Sequence, residues 1–273
     1  MKNRFYFLLM LIATSAISIA KECDYSLHVH PVTGEETAVL VLAPGMNGDG
    51  RFFLGEEAWI DFATEHQLGI IALAFRSAGD NMYNSQRRGY YWPEQGSGDA
   101  LLDAIRNAYG KDLPILIYGF SGGAHFASRF TEWVPERVQV WAAYSAQFWD
   151  SPVAHETMPP GIVACGEYDG PRWFPSFAYF YEGRMHGKPW TWVSISQTGH
   201  ARNRAFEQFV RDYFATVLLG EISPVYVDVD TLETGDSPGD FLQPELLTYL
   251  PSKSLKSAWL AIHELENAEK LKN

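Results

Sequence analysis

A serine in a glycine-rich turn is the first candidate for chemistry in this sequence. Ser121 directly follows the apolar run Pro114–Phe120 and lies between Gly119 and Gly123. The spacing fits a G-x-S-x-G turn, in which neighbours without side chains let a strand and a helix approach closely and leave the serine hydroxyl exposed. A serine hydroxyl becomes a nucleophile when a base takes its proton and an acid orients that base. The pattern predicts a serine nucleophile at position 121.

The base is expected from a histidine at the end of another apolar run. His200 follows the last such run in the middle of the chain and precedes a predicted helix, so it is the best-placed base. His125 comes four residues after Ser121, on the helix that begins there, and is expected to pack or to cap.

The acid should lie between the serine and the histidine in sequence. Asp169 follows the apolar run Gly161–Gly166 and is the first choice. Glu167 is closer to the strand and is expected to be structural, while Asp150 is the reserve candidate. The chain order Ser, Asp, His is the one found in α/β-hydrolases, and three residues at the ends of three strands are more specific than the serine turn alone.

An oxyanion formed by such a serine needs two N–H donors. The Gly122 N–H is the first candidate, since it lies at the predicted start of a helix. The second should come from the glycine-rich loop after the first apolar run, where we assign the Met46 N–H, with Asn47 as the alternative. The loop lacks the lysine and the hydroxyl residue of a phosphate-binding P-loop.

Alternating strands and helices are predicted to hold these residues. Short apolar runs with the length of buried parallel strands are separated by stretches with helical spacing. This alternation predicts an α/β fold, a mostly parallel sheet with helices on both faces and functional loops at the carboxyl ends of its strands. The predicted strands are Tyr25–His30, Thr37–Ala43, Leu68–Phe75, Pro114–Phe120, Val138–Ala146, Gly161–Gly166 and Thr191–Ser196; the predicted helices are Glu57–Gln67, Asp99–Tyr109, Gly122–Trp133, Pro171–His186 and Ala201–Leu219.

Over residues 25–219 the chain resembles the α/β-hydrolase superfamily. It looks most like secreted esterases without a large cap domain, of the dienelactone hydrolase, feruloyl esterase and polyhydroxybutyrate depolymerase type. The sequence departs from that pattern in having Pro44 where many members carry histidine, and in having one clear antiparallel strand at its start. The resemblance implies hydrolysis of carboxylic esters through an acyl-enzyme, with Ser121, Asp169 and His200 as the triad. No cofactor is expected, and no metal site is predicted, since such a site would need more closely spaced ligands.

The substrate is less well defined by the sequence. Only Gln147–Pro160 separates two predicted strands where a cap usually enters, so an open site and a small-molecule or polymeric ester are expected. The long loop 76–98 and the stretch after the fourth core strand are rich in aromatics, which predict either a substrate-binding rim or packing of the loop onto the sheet. The rim candidates are Tyr90, Tyr91, Trp92 and Trp149. A serine peptidase on the same scaffold and a non-catalytic binding protein are the alternative functions.

The amino-acid composition limits which kinds of partner the protein could bind. The 273 residues include 21 Lys or Arg and 33 Asp or Glu, a formal charge of −12, which argues against nucleic-acid binding.

Residues 1–20 are predicted to be a signal peptide, with Lys2 and Arg4 before a short apolar run. A secreted or periplasmic protein without stable membrane insertion is therefore expected, and an uncleaved membrane anchor is the alternative. Export would permit a disulfide between Cys23 and Cys165, although two unpaired thiols are favoured.

The remaining chain divides into two predicted parts. Residues 21–220 are expected to form the catalytic domain, and residues 221–273 an acidic linker followed by a helix. The linker is predicted because the stretch 221–250 has no Lys or Arg. Ser252 is expected to cap a helix that carries Leu255, Trp259, Ile262 and Leu265 at helical spacing.

Overall fold

The computed structural model describes residues 23–78, 89–152, 158–220 and 222–263. The predicted signal peptide, residues 1–20, lies outside the described residues, and so does Leu265. None of the helices in the described part of the chain is long and apolar enough to cross a membrane.

A seven-stranded sheet forms the centre of the described structure, in the order β1-β3-β2-β4-β5-β6-β7. The first strand pairs antiparallel with β3 and the other pairs are parallel. Parallel strands need crossover connections, which the intervening helices supply. The strands are β1 (Cys23–Val29), β2 (Ala38–Ala43), β3 (Leu68–Ser77), β4 (Ile115–Phe120), β5 (Val138–Tyr144), β6 (Gly161–Gly166) and β7 (Trp190–Ile195).

Helices cover both faces of the sheet and bury two separate cores. One face packs against α2, α3 and α4, and the other against α1 and α5. Because both faces are covered, strands such as β2 and β6 are buried along their whole length and read as continuous apolar runs. The helices are α1 (Glu57–Glu65), α2 (Ser97–Tyr109), α3 (Gly122–Trp133), α4 (Gly170–Met185) and α5 (Arg204–Leu218). The predicted α/β architecture is thus confirmed.

The C-terminal segment is folded, and the predicted acidic linker is wrong. A small antiparallel sheet forms from β8 (Val225–Asp228), β9 (Thr234–Gly235) and β10 (Leu247–Leu250), followed by α6 (Lys256–Ile262). Val225 and Val227 of β8 and Leu250 of β10 are buried against the α1/α5 face of the main sheet. Most of the acidic residues lie between these strands, in the stretches 229–233 and 236–246, and they make the short apolar runs hard to recognise in the sequence.

The edge strand β7 is covered by this C-terminal segment. The Trp192 N–H donates to Thr248 Oγ1 at 2.7 Å, and the Trp259 Nε1–H donates to the Trp192 carbonyl at 2.7 Å. The Ser194 N–H donates to His263 Nδ1 at 3.2 Å. These contacts occupy backbone groups that an exposed sheet edge would leave open to another chain.

The two cysteines are unpaired in the structure. Cys23 begins β1 at one side of the sheet, and Cys165 is buried in β6. Five strand-to-strand steps separate β1 from β6, a span of about 24 Å at the usual strand spacing. A disulfide requires Cα atoms within about 7 Å, so this fold keeps the two thiols apart.

Candidate active site

Ser121 occupies a strained turn between β4 and α3. Its backbone has φ 54° and ψ −112°, a conformation that non-glycine residues rarely adopt. The flanking glycines are sterically required, because a Cβ on Gly119 would lie 2.1 Å from the Gly123 carbonyl oxygen, and a Cβ on Gly123 would lie 2.1 Å from the Ala43 carbonyl oxygen. The Ser121 N–H donates to the Tyr144 carbonyl at 2.7 Å, which holds the turn against β5. Strain of this kind collects at functional sites.

Three side chains that the sequence places far apart form one chain of hydrogen bonds. His200 Nε2 lies 2.9 Å from Ser121 Oγ, and His200 Nδ1 lies 2.7 Å from Asp169 Oδ2. They come from the turns after β4, β6 and β7, whose carboxyl ends meet at one edge of the parallel sheet. His200 Nε2 therefore faces a hydroxyl from which it could take a proton, and Nδ1 faces a carboxylate that could orient the ring.

Asp169 is buried, and the side chains of Arg172 and Cys165 also contact its carboxylate. It is 3% exposed and lies at the N-terminus of α4, yet its side chain makes no capping bond and instead reaches His200. Arg172 Nη1 donates to Asp169 Oδ1 at 2.9 Å, which leaves Oδ2 to the histidine. Burial raises the pKa of the neighbouring Cys165 thiol to about 12, so that thiol stays neutral beside the carboxylate.

The loop that carries His200 is held on several sides. The Phe120 ring stacks on the imidazole with centroids 5.2 Å apart. Two residues farther on, the Arg202 guanidinium donates to both carboxylate oxygens of Glu56 at 2.7 Å each, and to Glu207 at 2.6 and 2.8 Å. Bidentate arginine–carboxylate pairs of this geometry fix orientation as well as distance. The histidine loop is thus tied to the connection before α1 and to the start of α5.

The predicted oxyanion donors lie side by side. A Cβ on Gly122 would stand 2.5 Å from the Met46 backbone nitrogen, so the loop after β2 packs directly on the first residue of α3. First-turn N–H groups of a helix have no intrahelical acceptor, which suits Gly122 to the donor role. The alternative donor, the Asn47 N–H, instead donates to Tyr90 Oη at 3.2 Å. The geometry therefore favours Met46 over Asn47, although the role of either residue stays a prediction.

The predicted aromatic rim is wrong for three of its four residues. Tyr90, Tyr91 and Trp92 are 3%, 1% and 4% exposed and belong to the core between the sheet and α3. They pack there because the segment after residue 88 turns inward beneath α3, with the Ser97 hydroxyl donating to the Tyr90 carbonyl at 2.9 Å. Trp149 is half-buried and stacks on Tyr179 at 4.3 Å.

The reserve acid Asp150, and Glu167 and His125, which were expected to be structural, make other contacts. Asp150 pairs with Arg129, whose Nε lies 2.9 Å from Asp150 Oδ2. Glu167 accepts from the Gln197 N–H at 2.7 Å and so braces the loop before His200. His125 is buried against Phe148, and burial holds the pKa of its imidazole well below the usual range. Among the described residues, no group of three or more His, Cys, Asp or Glu is arranged to bind a metal ion.

Several residues near the site were not singled out by the sequence. Tyr168, directly before Asp169, is 63% exposed. Arg172 donates to the Asp169 carboxylate, and Arg202 anchors the loop that carries His200. The spacing of Asp169 and Arg172, three residues apart at a helix start, was a usable signal. The pairing of Arg202 with Glu56 spans 146 residues and had none.

Comparison with known proteins identifies the fold. No protein-family profile matches the sequence, and no curated protein is significantly similar to it. Solved structures do match. Esterase PE8 is 17% identical, with a TM-score of 0.56 over 71% of this chain and 99% of that one. The poly(3-hydroxybutyrate) depolymerase LpqC from Bordetella parapertussis is 16% identical, with a TM-score of 0.50 over 72% and 86% of the two chains. A phospholipase/carboxylesterase from Dyadobacter fermentans is 13% identical, with a TM-score of 0.51 over 71% and 97%. The chain has the α/β-hydrolase fold.

Proposed function

We propose that this chain is a serine hydrolase that cleaves carboxylic esters through an acyl-enzyme on Ser121. The observation that carries the proposal is the hydrogen-bond chain from Asp169 through His200 to the Ser121 hydroxyl, with distances of 2.7 and 2.9 Å. The positive φ of Ser121 adds to it, since a strained serine between strand and helix is what an exposed nucleophile needs.

In the first half-reaction the Ser121 oxygen attacks the ester carbonyl carbon. His200 Nε2 takes the hydroxyl proton, and the Asp169 carboxylate holds Nδ1–H so that the imidazole keeps the required tautomer and the imidazolium is stabilised. The carbonyl oxygen becomes an oxyanion, for which the Gly122 and Met46 N–H groups are the proposed donors. The imidazolium then protonates the alcohol oxygen as the C–O bond breaks, which leaves an acyl group on Ser121.

In the second half-reaction water takes the place of the alcohol. His200 removes a proton from the water as the water attacks the acyl carbon, and it returns that proton to Ser121 as the acid leaves. Atoms balance over the cycle: one ester and one water give one acid and one alcohol. No cofactor enters the steps.

An open site and an exported protein complete the proposal. Only residues 145–160 connect β5 to β6, a connection too short for a large cap, which suits a bulky or polymer-linked ester. The exposed Met46 and Tyr168 favour an apolar acyl group at the entrance. The buried positions of Tyr90, Tyr91 and Trp92 remove the aromatic rim as an argument for a sugar substrate. The signal-like N-terminus supports action outside the cytoplasm.

A panel of esters on the purified mature chain tests this function. We expect turnover of p-nitrophenyl acetate and butyrate, and release of acid from acetylated xylan or polyhydroxybutyrate particles. Ser121→Ala should lose all turnover, whereas Ser128→Ala, which removes a serine two turns farther along α3, should keep it. Equal turnover by Ser121→Ala and the wild type would disprove the serine mechanism.

A further inference from the structure

A buried tyrosine touches the oxyanion loop from beneath. We propose that Tyr90 is a positioning residue, whose hydroxyl holds the turn Gly45–Gly48 against the start of α3, where the Met46 N–H lies beside Gly122. This inference builds on the proposed serine-hydrolase function and assigns Tyr90 a different part from the substrate contact predicted by the sequence.

The loop after β2 contains a tight turn whose shape depends on Asn47. The Gly48 N–H donates to the Gly45 carbonyl at 2.9 Å, so Met46 and Asn47 are the two central residues. Asn47 has φ 53°, in the left-handed region, as the second central residue of a type II turn requires. Asparagine tolerates this region better than most residues with a side chain. A type I turn would invert the peptide that joins Met46 to Asn47.

The Asn47 side chain anchors one side of this turn. Its Nδ2 donates to the Ser77 carbonyl and its Oδ1 accepts from the Ser77 N–H, both at 2.9 Å. This pair of bonds extends the end of β3 and attaches the oxyanion loop to the sheet. It fixes where Asn47 lies, but a side chain alone does not decide which way the preceding peptide faces.

The Tyr90 hydroxyl constrains the direction of the peptide that precedes Asn47. The Asn47 N–H belongs to the Met46–Asn47 peptide and donates to Tyr90 Oη at 3.2 Å. The same oxygen lies 2.8 Å from the position of a Cβ on Gly122, which places the phenol between the loop and the start of α3. Inverting the peptide would break the bond to Tyr90. The hydroxyl therefore favours the observed turn and, from its place beside Gly122, holds the loop against the start of α3, where the Met46 backbone nitrogen lies.

Tyr90 is itself held rigidly, independently of its hydroxyl. Its N–H donates to Ser77 Oγ at 2.9 Å, its carbonyl accepts from Ser97 Oγ at 2.9 Å, and its ring packs edge-on against Phe75. Removal of the hydroxyl alone should thus leave the backbone and the ring in place. This separation allows positioning to be tested without loss of the fold.

The test is Tyr90→Phe, with Tyr109→Phe as the matched control. The Tyr109 hydroxyl is also buried but contacts neither loop, since its ring packs at Gly69. We expect Tyr90→Phe to lower kcat on p-nitrophenyl butyrate by roughly tenfold, the upper effect of one neutral hydrogen bond, with KM unchanged. An alkyl trifluoromethyl ketone, whose adduct carries an oxyanion, should lose affinity by the same factor. Tyr109→Phe should change neither.

A second variant tests the same turn in case Tyr90→Phe does not fold. Asn47→Gly keeps the left-handed turn accessible and the N–H in place but removes the side-chain anchor, and it should lower kcat and ketone affinity in the same parallel way. Wild-type values of kcat and ketone affinity in a folded Tyr90→Phe would overturn the inference, and so would a change in KM alone. If the wild type has no activity that depends on Ser121, the proposed function fails instead.

Discussion

The close packing of Gly122 on Met46 gives the sharpest prediction, the change Gly122→Ala. Gly122 begins α3 with ordinary helical geometry, so alanine is conformationally acceptable there and would favour the helix by up to about 1 kcal/mol. Its new methyl group would stand 2.5 Å from both the nitrogen and the Cα of Met46, and 2.8 Å from Tyr90 Oη.

The size of the effect follows from these distances. Ordinary contact begins at 3.4 Å, so the loop after β2 must retreat by 3.4 − 2.5 = 0.9 Å. A shift of about 1 Å at a reacting centre costs on the order of 100-fold in rate. We expect kcat to fall by about 100-fold on small p-nitrophenyl esters. The urea midpoint should change little, because the loop is near the surface and can move outward.

The matched control is Gly170→Ala. Gly170 likewise begins a helix directly after a candidate site residue, Asp169, but a Cβ there would meet nothing within 4 Å. Stopped assays over a range of ester concentrations, with urea unfolding followed by tryptophan fluorescence, separate activity from stability. Gly170→Ala should behave as the wild type. A Gly122→Ala protein with kcat within threefold of the wild type would refute the reasoning that Met46 acts at this position.

Three further outcomes are expected. Asp169→Asn should leave the fold intact but lower kcat by about 10⁴-fold, since the amide favours the wrong histidine tautomer; a tenfold or smaller loss in the ester assay would contradict this. Trp92→Ala should lower the free energy of unfolding by about 3–5 kcal/mol, as truncation of a buried tryptophan does, and should not raise KM selectively on polymeric esters. Burial lowers the pKa of His263 from 6.5 in the unfolded chain to about 4 in the folded one. Between these two pH values the unfolded chain binds one proton more than the folded chain. The free energy of unfolding should therefore fall as the pH drops from 6.5 toward 4, by up to about 3 kcal/mol. Urea midpoints across that range should vary less in His263→Gln, and an equal slope in both proteins would exclude His263 as the cause.

Much of the architecture could be predicted from the sequence because each buried strand is a continuous apolar run. The predicted strand Gly161–Gly166 and the predicted helix Gly122–Trp133 have the observed bounds. The positions of Ser121 and His200 follow from the same logic, since the carboxyl ends of parallel strands meet at one edge. Their catalytic roles stay predictions that the assays above test.

The errors came from features that composition and local spacing do not determine. Tyr90 and Trp92 lie in a long loop, where sequence does not distinguish an outward aromatic from one that turns under a helix. In the C-terminal segment, seven acidic residues dominated the reading of residues 221–250. The short runs Val225–Asp228 and Leu247–Leu250 nevertheless have strand-forming residues, and their burial required a partner surface far away in sequence.

The central claim is that Ser121 is a nucleophile activated by His200. Its most direct measurement is reaction of the folded protein with a fluorophosphonate, followed by peptide mapping of the adduct by mass spectrometry. The account predicts one stoichiometric adduct on Ser121, with labelling lost in Ser121→Ala and slowed severely in His200→Ala. No adduct, or an adduct on another residue that persists in Ser121→Ala, would contradict it.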